Sequence, residues 1–350
     1  MNRMNTWPAL RGGVLALAAA ALFGLSTPLV QRFGVGLGAF TTAALLYAGA
    51  TLVALFSRRQ ADQEAPLRRS DGGRLLAMAA FGAVLGPVAL AWGLQHTSGF
   101  SASLMLTLEA LFTAVLAWRW YGEAMDKRIA TAMLILLAGG LVLVVEQGSS
   151  GGTQMLGLLA VLLATAAWGV DNALSRGVAD RDPGQVVWVK AALGAGATGL
   201  LAWWWGDPLP DLGPALALVT IGVTGYGLSL RFYLLAQRAF GAARTGSVFA
   251  FAPFIGAMGA FSLGERAGSW GMLLGGGLML VGVVLHLSES HAHGHAHEAL
   301  SHEHAHTHDD GHHLHSHDPM PAGAHSHGHK HVALEHEHAH VPDAHHTHRH

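Results

Sequence analysis

Histidine is the residue type with the most obvious chemistry in this chain. Of 25 histidines, 23 fall within residues 291–350, most at alternating positions, as in His291-Ala-His293-Gly-His295-Ala-His297. Neutral imidazole is a common ligand for Zn, Ni, Co and Cu, so the run is first a metal-binding signal. The candidate ligands are His291, His293, His295, His297, His302, His304, His306, His308, His312, His313, His315, His317, His325, His327, His329 and His331. Alternate residues of an extended chain share one side, and neighbouring runs can fold back to complete a four-ligand site. Glu298, Glu303, Asp309, Asp310, Glu335 and Glu337 can add oxygen donors or orient the rings. Binding requires neutral imidazole and should fade below about pH 6.5. The spacing is irregular and interleaved, unlike a short uniform affinity tag. No cofactor is required elsewhere; a divalent transition metal on the tail is the expected ligand. The chain has no cysteine, which excludes disulfides, thiolate metal sites and cysteine catalysis.

Outside the tail, ionisable residues are few and stand within apolar runs. A charge at the centre of a membrane helix costs about 2.5–3.5 kcal/mol on insertion scales, so such residues call for a reason. Glu109 sits near the middle of an apolar segment and could carry a coupling proton; the alternative is a neutral carboxyl bonded to a neighbouring helix. Asp171 with Arg231 or Lys190 could form an inner gate; the alternative is a local pairing of Asp171 with snorkelling cations, which Lys190 suits best. Trp92, Trp168, Tyr226 and Tyr233 are candidate cavity walls, although an aromatic in a membrane bundle is more often packing. His96 reads as a polar helix end, and His286 suits the last turn of a helix. No phosphate-binding Gly-x-x-x-x-Gly-Lys-Ser/Thr loop is present, which argues against an ATP-driven pump, and no constellation suggests an enzyme.

The elements that must position these residues are membrane helices. The chain is 51% hydrophobic and only 12% charged over 350 residues, against about 25% charged in a soluble domain. The first 290 residues hold 14 acids and 18 Lys+Arg, mostly clustered between apolar runs. Ten stretches approach the roughly 20 residues needed to cross a bilayer: about 12–31, 36–57, 74–95, 99–119, 128–146, 153–174, 184–205, 212–236, 243–263 and 268–287. The first of these could be a cleaved leader, but no small-x-small site with a polar continuation follows it, so it is read as retained. Residues 58–73 read as a solvated connector. Trp203-Trp204-Trp205 read as an interfacial belt, and Gly271, Gly275, Gly276 and Gly277 suit close helix packing.

Lys and Arg set the orientation. Alternate loops and the N-terminus carry Arg3, Arg11, Arg58, Arg59, Arg68, Arg69, Arg74, Arg119, Lys127, Arg128, Arg176, Arg181, Arg238 and Arg244; the other side carries Arg32 and Arg266. Fourteen against two places the N-terminus in the cytosol of a bacterial-type inner membrane. Ten crossings then bring the tail to the same side. The tail is poor in large apolar residues and interrupted by Pro319, Pro321 and Pro342, so it is expected to be disordered without metal.

The two halves rhyme. Residues 103–144 and 247–284 both run as an apolar helix, a Gly-Glu pair (Gly122-Glu123, Gly264-Glu265), then a Gly/Leu helix ending in Val. Gln95 and Gly99 share the spacing of Gln237 and Gly241, and Leu22-Phe23-Gly24 parallels Ala167-Trp168-Gly169. Five helices per half would insert the second copy upside down, an architecture of transporters. On these twin helix–Gly-Glu–helix stretches the chain resembles the drug/metabolite transporter superfamily, EamA type, over about residues 12–288. The resemblance implies an all-α membrane fold of two inverted five-helix repeats (1–146 and 147–288) with the tail, 289–350, outside it. It also implies secondary transport, mostly efflux of small solutes, with cytosolic termini. In such families Pro often lies in the helix before each Gly-Glu. Here the second half has Pro253 but the first has Ala110 beside Glu109, which puts the first helix break in question.

The expected function is a secondary exporter of a small solute with a metal-binding cytosolic tail. Two alternatives remain: a transition-metal exporter that uses the tail as collector, and a membrane-tethered metal sensor or store. The expected partners are the lipid bilayer and a small-molecule or metal-ion substrate, not nucleic acid; a homodimer is left open.

Overall fold

In a computed structural model, the structure describes residues 7–56, 65–121, 125, 127–150, 152–178, 181–240, 242–265 and 269–287, together with tail segments 291–297, 301–306, 325–330 and 334–340. Among the described residues before the tail, the regular elements are all helices. Among the described residues, seven helical spans are long and apolar enough to cross a bilayer: Gly12–Phe33, Arg69–Leu94, Gly99–Tyr121, Lys127–Glu146, Gly152–Ser175, Pro183–Trp205 and Leu212–Ala236. Three shorter apolar helices, Ala39–Val53, Ala252–Ser262 and Trp270–His286, bring the number to ten.

The first, second, fifth, sixth, seventh and tenth spans are single helices: α1 (Trp7–Phe33), α2 (Ala39–Phe56), α7 (Lys127–Ser150), α8 (Gly152–Ser175), α9 (Pro183–Trp205) and α14 (Trp270–Leu287). The other four are interrupted, and the interruptions match between halves. The third span runs from α3 (Gly72–Met78) through a π-helical stretch, Ala79–Leu85, into α4 (Gly86–Leu94). The eighth runs from α10 (Leu212–Ile221) through a π-helical stretch, Gly222–Leu228, into α11 (Ser229–Phe240). The fourth breaks between α5 (Gly99–Met105) and α6 (Leu108–Tyr121), and the ninth between α12 (Ala242–Phe249) and α13 (Ala252–Ser262).

Each interruption has a local cause. Pro87 cannot donate to the ladder and its ring crowds the carbonyl four residues back, which suits a widened turn just ahead of it. The eighth span has no proline there but has Gly222, Gly225 and Gly227. In the ninth, Pro253 sits second in α13. The fourth has no proline, yet it breaks at the matching point. There Thr107 Oγ1 donates to the Leu104 carbonyl at 2.8 Å, taking an acceptor the helix would use. The questioned first-half break is therefore present, made by a threonine.

Packing repeats the rhyme. α1 lies against α11 and α13 of the second half; α8, its counterpart, lies against α4 and α6 of the first. α2 pairs with α9, and α7 with α14, across the two-fold relation. The α7–α14 seam is built on small residues, since a Cβ on Gly139 would stand 2.8 Å from the Gly275 carbonyl oxygen. α1 belongs to the core, as Ala16, Ala19 and Ala20 are fully buried and Ser229 Oγ donates to the Ala19 carbonyl. Leu134, Val145 and Leu200 are about two-thirds exposed or more, as expected of side chains that face lipid.

Loop contacts define two faces. On the Arg-rich face, Arg181 Nε reaches Asp71 Oδ2 at 2.9 Å and the Asp182 amide donates to the Ala65 carbonyl, so the 65–71 connector docks on the loop before α9. On the opposite face, Gln31 Nε2 donates to the Thr97 carbonyl at 2.9 Å and Gln95 Nε2 to the Leu37 carbonyl at 2.8 Å. Asp207 Oδ2 accepts from the Thr41 amide and hydroxyl. Glu265 accepts from the amides of Gly99 and Phe100 at 3.2 and 3.0 Å, seating a carboxylate on the N-terminus of α5. Gly264, at φ 100°, ends α13 and turns Glu265 back toward α5. Gly122-Glu123, the other Gly-Glu pair, lies outside the described residues. Trp203, Trp204 and Trp205 are each about 70% exposed or more at the opposite-face end of α9, where a belt is expected.

Four tail segments are described, each as extended backbone. β1 (His291–His297) pairs antiparallel with β4 (Leu334–His340), and β2 (Ser301–His306) with β3 (His325–Lys330), as two separate two-stranded sheets. The alternation of histidine with small residues is the period-two pattern that extended backbone requires.

Candidate functional site: an aromatic cavity between the halves

Helices of both halves, among them the interrupted fourth, eighth and ninth spans, enclose a cavity of about 150 Å³. Six aromatic residues wall it: Phe23 of α1, Tyr47 of α2, Trp168 of α8, Tyr226 in the second π-helical stretch, Tyr233 of α11 and Phe249 of α12. The rings meet edge to face, Phe23 on Trp168 at 6.0 Å, Phe23 on Tyr226 at 6.1 Å and Tyr47 on Tyr226 at 5.7 Å between centroids.

The π-helical stretch of the third span supplies a shared acceptor. Tyr47 Oη and Trp168 Nε1 both donate to the Gly82 carbonyl, at 2.5 and 3.0 Å. One carbonyl thereby ties α2 and α8 to the third span. Gly82 leaves room for the Asp171 carboxylate, which occupies the space a Cβ would take; Gly225, at the matching place in the eighth span, leaves room for Ser26. Asp171 and Ser26 are thus counterparts, each two residues after the glycines of the paired motifs, Gly169 and Gly24.

Among the polar residues that line this space are Glu109, Asn172, Lys190 and Ser229, with Asp171 behind Lys190. Glu109 is second in α6, just after the break, and accepts a hydrogen bond from Asn172 Nδ2 at 2.6 Å. Asp171 is 5% exposed and forms an ion pair with Lys190 Nζ through Oδ2. Its other oxygen, Oδ1, is buried with no hydrogen-bond partner among the described residues. Lys190 lies about two turns into α9 from its Arg-rich end, and its side chain is 14% exposed. It turns inward onto Asp171 and does not snorkel.

The sequence candidates therefore separate. Glu109, Trp168, Tyr226 and Tyr233 line the cavity, and Asp171 stands at its edge beside Lys190. Arg231 makes no ion pair with a described residue, and the partner of Asp171 is Lys190. Trp92 is not a cavity wall: it is 40% exposed and stacks on His96 at 4.1 Å, where His96 Nδ1 meets the Trp92 carbonyl at 2.7 Å. Phe23, Tyr47, Phe249 and Asn172 line the cavity without having been singled out. Phe23 carried a usable signal, as the partner of Trp168 in the repeated Leu22-Phe23-Gly24 and Ala167-Trp168-Gly169 motifs. Tyr47, Phe249 and Asn172 carried none. Of the sixteen candidate tail ligands, ten lie in described strands: His291, His293, His295, His297, His302, His304, His306, His325, His327 and His329; His308, His312, His313, His315, His317 and His331 lie outside the described residues.

Chemically, the cavity pairs an apolar, π-rich wall with one carboxyl group on a neutral amide and one buried ion pair. It can enclose a small solute with an apolar or flat body, and Glu109 can exchange a proton there. On the opposite face, separate contacts of Gln31, Gln95, Asp207 and Glu265 tie neighbouring helix ends together.

Comparison with known proteins agrees with this architecture. The profile of the EamA-like transporter family matches residues 10–145 and again residues 155–288. An uncharacterized transporter of Methanothermobacter thermautotrophicus is 26% identical over 297 residues, covering 79% of this chain and 86% of that relative. A solved chain, described only as the crystal structure of a protein, superposes with a TM-score of 0.58 at 17% identity, over 78% of this chain and 94% of the other; it supports the fold alone. With both halves matched, the chain belongs to the EamA-like transporter family.

Proposed function

We propose that this membrane transporter exports a small organic solute by proton-coupled secondary transport, and that its tail is a cytosolic metal-binding arm. The aromatic-walled cavity with Glu109 in its lining carries the reading. Six rings around one exchangeable carboxyl suit an organic body better than a hydrated metal ion, which asks for several oxygen or nitrogen donors at one point. Glu109, second in α6 after a helix break, takes the proton when the solute leaves. The Arg and Lys bias supports an orientation with both termini in the cytosol of a bacterial-type inner membrane. The tail histidines favour a second reading, in which the metal is itself the cargo and the tail gathers it at the cytosolic mouth.

One comparison separates these readings and a third, in which the tail stores or senses metal without transport. Metal tolerance and cellular Zn, Ni and Co are measured in cells carrying the full-length protein, a chain ending at Ser288, and Glu109→Gln. Metal content unchanged in all three supports the organic-solute reading. Metal export lost in Glu109→Gln supports metal as cargo. Protection that needs the tail and survives Glu109→Gln supports storage.

A further inference from the structure

The register of the tail strands places histidine opposite histidine. In β1 and β4 the partners are His291/His340, His293/His338 and His295/His336. In β2 and β3 they are His302/His329, His304/His327 and His306/His325. Partner numbers fall by one as strand numbers rise by one from 291/340 to 306/325, so both pairs share one register. The rungs between hold small or acidic residues, such as Ala292/Ala339, Gly294/Glu337 and Ala305/Ser326.

Alternate residues of a strand share a face, and residues directly opposite share it too. Each strand pair therefore carries three His–His rungs on one face and small or acidic positions on the other. Opposite positions are about 4.5–5.5 Å apart and successive same-face rungs about 7 Å. Two adjacent rungs therefore bring four histidine positions together on one face, the number a tetrahedral zinc site asks for. A random polyhistidine run would offer as many rings without this order.

We propose that two adjacent His–His rungs form a four-imidazole site for Zn²⁺, Ni²⁺ or Co²⁺, one site in each strand pair. In β1–β4 the rungs are 293/338 and 295/336, and in β2–β3 they are 302/329 and 304/327. The metal fastens residues near 291 to residues near 340, so that loading shortens the arm. Because the pairs are separate sheets, the two sites load independently. The inference rests on the reading that the tail binds metal.

The test preserves the histidine count. In the full-length protein, His293→Ala with Ala292→His and His295→Ala with Ala296→His moves two histidines to the other face of β1. Zinc titration by calorimetry is expected to show two tight sites in the parent and one in this variant, the lost site weakening at least tenfold. The swap His304→Ala with Ala305→His removes the other site in the same way. Unchanged affinity and stoichiometry in both swaps would overturn the register-built site while leaving tail metal binding intact. A parent that binds no zinc would overturn both. Since the chain has no cysteine, Ser290→Cys with Val341→Cys accepts two spin labels and nothing else does. Zinc is expected to collapse their separation to one short distance, and less so in the β1 swap; a broad distribution indifferent to zinc also overturns the proposal.

Discussion

The Asp171–Lys190 pair shows how a single residue's environment decides its meaning. Removing one partner of a buried ion pair leaves an uncompensated charge, at about 3–5 kcal/mol, whereas replacing both with apolar groups is often neutral. Lys190→Met is expected to lower the detergent-solubilised Tm clearly, and Lys190→Met with Asp171→Leu to restore it. A double variant no more stable than the single would show that the pair is not the unit. Glu109→Gln keeps the Asn172 contact but cannot exchange a proton. It is expected to abolish proton-driven export at least a hundredfold while solute counterflow, which needs no net proton movement, persists. Glu109 was legible in the sequence because a lone acid amid apolar residues stands out. Asn172 was not, because an amide next to Asp171 has no sequence mark of facing another helix. Lys190 was misjudged toward snorkelling because its depth in α9 says nothing about which neighbour lies inward.

At the scale of elements, Gly264 and the α7–α14 seam make the sharpest expectations. Gly264→Ala forces a side chain into a left-handed backbone position, at about 1 kcal/mol, and displaces Glu265 from α5. Paired with Glu265→Gln, it should raise the labelling rate of a single cysteine placed at Ser101 from the opposite face; no change would remove Glu265 from that closure. At the seam, Gly139→Leu would drive a side chain into the Gly275 backbone, and loss of most folded protein on size exclusion is the expected outcome. Helix number and the paired halves were readable from apolar length and from the Gly-Glu rhyme. The two π-helical stretches were not, because one follows from Pro87 and the other from three glycines. Two local sequences that share little beyond the central glycine, Gly82 and Gly225, make the same bend, and only the fold reveals that they are counterparts.

At the scale of the molecule, the two faces follow from the loops. The Asp71–Arg181 pair joins two connectors that the charge bias put on one side, and the Gln31, Gln95, Asp207 and Glu265 contacts join those it put on the other. Topology is directly measurable in a chain without cysteine. Leu209→Cys, 95% exposed in the turn after α9, is expected to react with an impermeant maleimide in intact cells, and Ala292→Cys only after permeabilisation. The reverse pattern would invert the assignment. The tail's pairing was beyond the sequence, since alternation predicts extended backbone but not which strand meets which.

The places where the halves fail to repeat have a consequence of their own. Were the repeat perfect, exchanging the shapes of the two halves would turn one access state into the other at equal free energy, and each would be half populated. Here Asp171 stands where its counterpart is Ser26, and Glu109 where the counterpart is Pro253. Glu109 and Asp171 come from different halves but meet where α6 packs on α8, and their counterparts meet where α13 packs on α1. For an alternating-access cycle, that asymmetry removes the degeneracy, and the two states differ in free energy by whatever those two groups contribute. A bound solute or proton redistributes the ensemble only through its difference in affinity for the two states. Asymmetry at two residues, within an otherwise duplicated scaffold, is what gives the exchange a preferred starting point.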